Sequence, residues 1–192
     1  YWVKLAQEEP GLPTLALAGR QQIELPAHPR LRLLGEVSEQ EKGALIAGSL
    51  LLLLPSALES LSISVLEAWA LGRPVLVNAQ CRVLEGQCQR SNAGLFYRGY
   101  AEFAPALRLL LQDAELRAGL GENGRDYGRR EYDWEIVERR VLDLLRQVAA
   151  PTPEHSPIVE AGPVQADQGP FALGPGPADR VRVGMVRAFG RQ

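Results

Sequence analysis

The sequence predicts an α/β layer fold, a parallel sheet flanked by helices. Three observations predict it. Short apolar runs alternate with amphipathic segments as far as Tyr97. One run, Leu50–Leu54, is continuously apolar, as a strand covered by helices on both faces must be. From Tyr100 the pattern turns wholly helical, with Phe103, Leu107 and Leu110 on one face.

The elements follow in order. Trp2–Glu9 reads as the end of a helix stopped by Pro10-Gly11. Thr14–Ala18 is a strand ending at Gly19-Arg20, and Arg30–Leu34 a second ending at Gly35. Ser38 opens a helix, and Ser38-x-x-Glu41 has the spacing of a capping box. Leu50–Leu54 is the third strand and should be central. The loop Pro55–Leu61 leads into a helix over Ser62–Leu71, with Gly72 suited to its C-terminal end. Pro74–Val77 and Gly94–Tyr97 are further strands. Leu116, Leu120 and Tyr127 fit one helix after that of Phe103. Val137, Val141, Leu144, Leu145 and Val148 fit a last one.

This domain is expected to span residues 1–150. Residues 151–179 hold seven Pro and four Gly, four acids and no Lys or Arg. That composition predicts a stiffened, disordered linker. Residues 180–192 carry four Arg and alternating Val181, Val183 and Met185. They read as a basic tail or as the first strand of a further domain.

Composition excludes several classes. A formal net charge of −2 gives no field favouring nucleic acid. The longest apolar run, Leu50–Pro55, is far short of the roughly 20 residues of a membrane helix. Cys81 and Cys88 are too few for a disulfide framework and read as reduced cytosolic thiols. His28 and His155 stand alone in loop-like sequence, so no metal site is expected. There is no G-x-x-x-x-G-K-(S/T) and no D-x-D.

In an open parallel sheet, ligands bind beyond the carboxyl ends of the strands. The informative segment is therefore Pro55–Ser62 and the helix after it. Free N–H groups at a helix N-terminus attract phosphate, and Ser60, Ser62 and Ser64 offer hydroxyls. A plain serine N-cap would look the same. Glu67 sharpens the reading, since Ile63, Val65, Leu66, Ala68, Trp69, Ala70 and Leu71 make its helix apolar nearly all round. A carboxylate buried there needs partners. Its own helix supplies no basic residue at 63, 64, 70 or 71. Either Glu67 reaches solvent from a half-exposed face, or it accepts hydrogen bonds from ligand hydroxyls.

These same residues carry a resemblance. Pro55-Ser56, Glu59-Ser60 and Leu66-Glu67-Ala68-Trp69-Ala70-Leu71-Gly72-Arg73-Pro74-Val75 resemble the E-x7-E region of family 4 retaining glycosyltransferases. That region typically reads P-S-x-x-E-(G/S)-F-G-x-x-x-L-E-A-x-A-x-G-x-P-V. Leu15–Arg20, Leu33–Ser38, Asn123-Gly124-Arg125 and Tyr132-Asp133-Trp134 resemble flanking family segments. The similarity covers residues 1–148.

The resemblance implies the Rossmann-like C-terminal, donor-binding lobe of a two-lobed GT-B transferase. It implies that Glu59 holds donor-sugar hydroxyls and acts as the catalytic orienting group. Backbone N–H groups of Leu61, Ser62 and Ile63 would face the diphosphate, and Glu67 the ribose. Gly35, Glu36 and Val37 would lie against the nucleobase through backbone atoms. Glu59 and Glu67 should flank one pocket. The substrate would be a nucleotide-sugar, used without cofactor or metal. The acceptor lobe would be a missing N-terminal partner, so the isolated chain is expected to bind nucleotide weakly and transfer nothing. Glycan, glycolipid or envelope polysaccharide synthesis is implied. The expected place is cytoplasmic, free or peripheral at the inner face of the membrane.

Three departures stand out. Ser62 replaces the family's Gly. Cys81-Arg82 replace the glycines of a G-G-x-x-E segment, with Glu85 near the place of its acid. The Arg and Lys that clamp the diphosphate follow a strand that would precede Tyr1. An epimerase or phosphorylase on the same frame, and a non-catalytic nucleotide-binding module, remain the competing readings.

Overall fold

The computed structural model describes residues 1–21, 23–149 and 185–189. Two compact units divide the chain, Tyr1–Asp133 with Val181–Gln192, and Trp134–Arg180. The first contains α1 (Trp2–Glu8), β1 (Leu15–Ala18), β2 (Leu31–Gly35), α2 (Glu39–Ala47), β3 (Ser49–Leu54), α3 (Ile63–Ala70) and β4 (Val75–Asn78). Then come α4 (Arg82–Ser91), β5 (Gly94–Tyr97), α5 (Tyr100–Gln112), α6 (Ala114–Tyr132) and β6 (Met185–Phe189).

The strands form one sheet in the order β2-β1-β6-β3-β4-β5. Pairs β1–β2, β3–β4 and β4–β5 are parallel, as the alternation of strands and helices predicts. β3 is internal, also as predicted. β6 is the exception. It runs antiparallel between β1 and β3, with Ala18 opposite Met185 and Leu53 opposite Val186. Residues 185–189, read from sequence as part of a basic tail or of the first strand of a further domain, form a strand of this sheet. The linker prediction for 151–179 falls outside the described residues.

Strand geometry explains the two cores. Successive side chains of a strand point to opposite faces. Leu51 and Leu53 of β3 join Leu76, Trp2, Leu5, Phe103, Leu107 and Leu110 on the side of α1 and α5. Leu52 and Leu54 join Val75, Val77, Ile46, Val65, Trp69 and Leu84 on the side of α2, α3 and α4. A continuously apolar β3 is therefore required, because each face has its own helix layer.

Local signals held in detail. The Ser38 hydroxyl accepts from the Glu41 backbone N–H at 3.2 Å, and the Glu41 carboxylate accepts from the Ser38 N–H at 2.8 Å. At the end of α3, Gly72 N–H donates to Trp69 O and Arg73 N–H to Ala68 O. Those two bonds are the glycine-ended closure of a helix, with Gly72 at φ 66°. The sequence reading missed α4. Its buried positions Leu84, Gln87, Cys88 and Ser91 have helical spacing, but two of the four are polar and hid the stripe.

In the second unit, α7 (Trp134–Ala149) is described. It forms the helix that the Val137–Val148 spacing predicts. It has no buried residue, and Val141, Leu144, Leu145 and Val148 are exposed.

Candidate functional site

The carboxyl ends of β1 to β4 present Gly19, Gly35, Pro55 and Ala79 along one edge of the sheet. Three contacts fix the loop that leaves β3. Asn78 Nδ2, at the end of β4, donates to Pro55 O at 3.1 Å, and its Oδ1 accepts from Gln80 N–H at 2.9 Å. The Ser56 hydroxyl donates to Leu58 O at 3.0 Å. The Cys81 thiol lies 3.9 Å from Glu59 O. Pairing of β4 with β3 thus extends into the loop through side chains, and the loop delivers the chain to α3 in a set position.

Ser62 is the N-cap of α3, but its side chain makes no capping hydrogen bond. It is buried. The plain capping explanation for this serine therefore fails. Among the described residues no side-chain cap takes up the N–H groups of the first turn, which is what an anion site at a helix start requires. Leu61 and Ile63 flank it with exposed side chains. Glu59 is half-buried.

Glu67 sits one turn further along α3. Its Oε1 lies 2.7 Å from Lys42 Nζ of α2. Its Oε2 is buried and has no hydrogen-bond partner among the described residues. Lys42 also holds Glu39, at 2.5 Å. Its ammonium is held charged above the usual lysine range, first by Glu39 and then by Glu67. The reading of Glu67 as lacking a basic partner was right for its own helix. The partner comes from another helix, and nothing in the spacing of Lys42 to Glu67 announces it.

Gly35 ends β2 with φ 67°, and its carbonyl accepts from Gly19 N–H at 2.7 Å. Glu36 turns outward to an exposed pair with Arg20 at 3.0 Å. Val37 is half-buried beside the capping box. The Gly35–Val37 turn therefore offers backbone atoms at the sheet edge. Glu85 of α4, near the place of the family acid, pairs with Arg98 after β5.

A cavity of about 380 Å³ opens at the same edge. It is lined mainly by apolar residues, among them Trp2, Leu17, Leu33 and Phe103, with Gly19, Gly35 and Pro55 at the strand ends. Of the candidate residues it touches Gly35 alone, and neither Glu59 nor Glu67 lines it. Among the described residues no cluster of three His, Cys, Asp or Glu could hold a metal ion. No described helix is long and apolar enough to cross a membrane.

Comparison with known proteins gives the fold a family setting. The family model described as "Glycosyl transferases group 1" matches residues 20–127. Sucrose-phosphate synthase from Thermosynechococcus elongatus superposes with a TM-score of 0.53 and 22% identity, over 62% of this chain and 30% of that one. WaaG, a glycosyltransferase involved in lipopolysaccharide biosynthesis, gives 0.50 and 25%, over 58% and 30%. Anabaena HepE, solved with UDP and glucose, gives 0.57 and 13%, over 75% and 51%. These neighbours have the GT-B fold, and this chain spans between about a third and a half of their lengths.

Proposed function

We propose that this chain, which belongs to the glycosyl transferases group 1 family, is the donor-binding part of a retaining, family 4 type transferase. Its substrate is a nucleotide-activated sugar, passed to an acceptor held elsewhere. The observation that carries the reading is the Glu67 carboxylate. One oxygen is held by Lys42 and the other is buried without a partner among the described residues, one turn from a helix start that its N-cap side chain does not cap. A buried carboxylate oxygen without a donor is costly. Two vicinal ribose hydroxyls would supply the missing donors.

In this reading the N–H groups of Leu61, Ser62 and Ile63 receive the diphosphate, and Glu59 orients the sugar hydroxyls. Gly35, Glu36 and Val37 meet the nucleobase through backbone atoms. The bond from the anomeric carbon to the diphosphate oxygen breaks. A bond to the acceptor oxygen forms on the same face, and the departing phosphate takes the acceptor proton. Helix α3 stabilises the charge that develops on the diphosphate. The reading requires no metal. HepE, whose structure contains UDP, shares the fold and suggests UDP as the first probe. The products would serve glycan, glycolipid or envelope polysaccharide synthesis.

Titration calorimetry with UDP, GDP and ADP tests the reading. Glu67→Ala should weaken nucleotide binding by at least about tenfold, the worth of one charge-assisted hydrogen bond. Equal affinity in the variant would remove Glu67 from the site.

A further inference from the structure

The two oxygens of the Glu67 carboxylate differ. Oε1 lies 2.7 Å from Lys42 Nζ, and Oε2 is buried without a partner among the described residues. A glutamate left to itself does not keep its oxygens distinct. Its last torsion is broad and roughly two-fold, so either oxygen can take either place. A charge-assisted hydrogen bond to one of them removes that freedom. Lys42 therefore selects which oxygen stays open and the plane in which it lies.

Lys42 has an anchor of its own. Glu39, three residues before it on α2, takes its ammonium at 2.5 Å. The other acid of that first turn, Glu41, is engaged by the N–H and hydroxyl of Ser38 in the capping box. The side chain of Glu39 is 85% exposed, that of Lys42 15% and that of Glu67 27%. The ammonium is thus held at α2 by an exposed acid while it reaches inward to Glu67. Glu67 keeps enough exposure for a ligand to approach. Helix α2 also starts directly after the Gly35–Val37 turn. On the donor-site reading that turn meets the base and the start of α3 meets the diphosphate. The ribose then lies between the two helices that Lys42 and Glu67 join.

We propose that Lys42 is a positioning residue that makes the site select ribose, by fixing the Glu67 carboxylate so that Oε2 receives a ribose hydroxyl. The proposal rests on the donor-site reading. A nucleotide lacking that hydroxyl leaves the oxygen buried and unmet, which is how a site built around a hydroxyl rejects the deoxy analogue. With Lys42 gone the carboxylate turns freely. The ordering it then requires on binding weakens the ribonucleotide and not the deoxy form.

Titration calorimetry on the full chain tests it, with UDP, GDP and ADP and then the 2′-deoxy and 3′-deoxy forms of whichever binds best. The wild type is expected to favour the ribonucleotide over at least one deoxy form by on the order of tenfold. Lys42→Met should bring that ratio close to one, mainly by weakening the ribonucleotide. Lys42→Gln, which keeps an N–H donor on a shorter side chain, should retain part of it. A merely structural lysine would weaken all forms alike, so an unchanged ratio in Lys42→Met overturns the proposal and leaves the donor-site reading intact. Tighter ribonucleotide binding in Lys42→Met also overturns it, since Lys42 would then compete with the ligand for Glu67. If Lys42→Met loses its cooperative fold, Lys42→Gln decides: a ratio below that of the wild type supports the proposal, and the wild-type ratio overturns it. If the wild type binds none of the three diphosphates, or binds both deoxy forms equally well, the donor-site reading fails first and the proposal with it.

Discussion

Lys42 Nζ lies 2.7 Å from Glu67 Oε1, although the two residues sit on separate helices, α2 and α3. Both side chains are half-buried, and the pair ties α2 to the helix of the candidate site. Lys42→Met should leave the Glu67 carboxylate short of donors and cost about 1–3 kcal/mol. Chemical denaturation would measure it. Because Glu39 and Glu67 raise the lysine's titration above 10.5, this contribution is present at neutral pH. It is lost as pH rises through the raised value. The wild-type advantage over Lys42→Met should therefore shrink in strong alkali. A constant difference would show that the ion pair is not its source.

Asn78 is expected to set the position of the loop after β3. Its amide holds Pro55 O and its carbonyl takes Gln80 N–H. Asn78→Ala should cost about 1–2 kcal/mol by leaving the Pro55 carbonyl and the Gln80 N–H short of partners. On the donor-site reading it should also weaken UDP binding, while Asn78→Asp, which keeps the acceptor but not the donor, should recover only part. Calorimetry and thermal unfolding on the same samples separate the two effects.

Gly124 lets α6 approach α3. A Cβ there would run into the Trp69 ring, whose Nε1 donates to Ala93 O at 3.0 Å in the core. Gly124→Val forces that ring to move and should destabilise by about 1–3 kcal/mol. The melting temperature reports it. Gly128, four residues on along α6, meets nothing within 4 Å of an added Cβ, so Gly128→Ala should be neutral or slightly stabilising.

Cys88 is buried, and burial pushes its thiol up to about 12 from an ordinary 9.0. Tyr97 is likewise pushed up to about 12 from 10.0, by burial first and Tyr1 second. Both groups stay neutral when folded, while the unfolded chain ionises from about pH 9 upward. Their contribution is thus full below pH 9 and is lost progressively towards pH 12. Unfolding free energy should fall over that window. Cys88 should resist alkylation at about pH 8 in the native chain and react in denaturant. Rapid native alkylation of Cys88 would contradict its burial.

The sequence by itself determined the parallel strands, the helices with apolar stripes, the capping box at Ser38 and the glycine closure at Gly72. Each is specified within a few residues, by periodicity or by a short-range hydrogen bond. It also singled out Glu67, because a carboxylate on an apolar helix conflicts with its own surroundings. Only the tertiary structure decided how that conflict is met. Lys42 reaches Glu67 from 25 residues away, and Asn78 reaches Pro55 from 23. Neither pairing leaves a periodic trace, since which helix faces α3, and which strand end adjoins β3, depend on sheet order. The same holds for residues 185–189. The alternation read from the sequence, Val181, Val183 and Met185, touches this strand only at Met185, and neither partner nor direction is local. Strand pairing is decided by the backbone donors left open between β1 and β3, and those exist only once the rest of the sheet has formed.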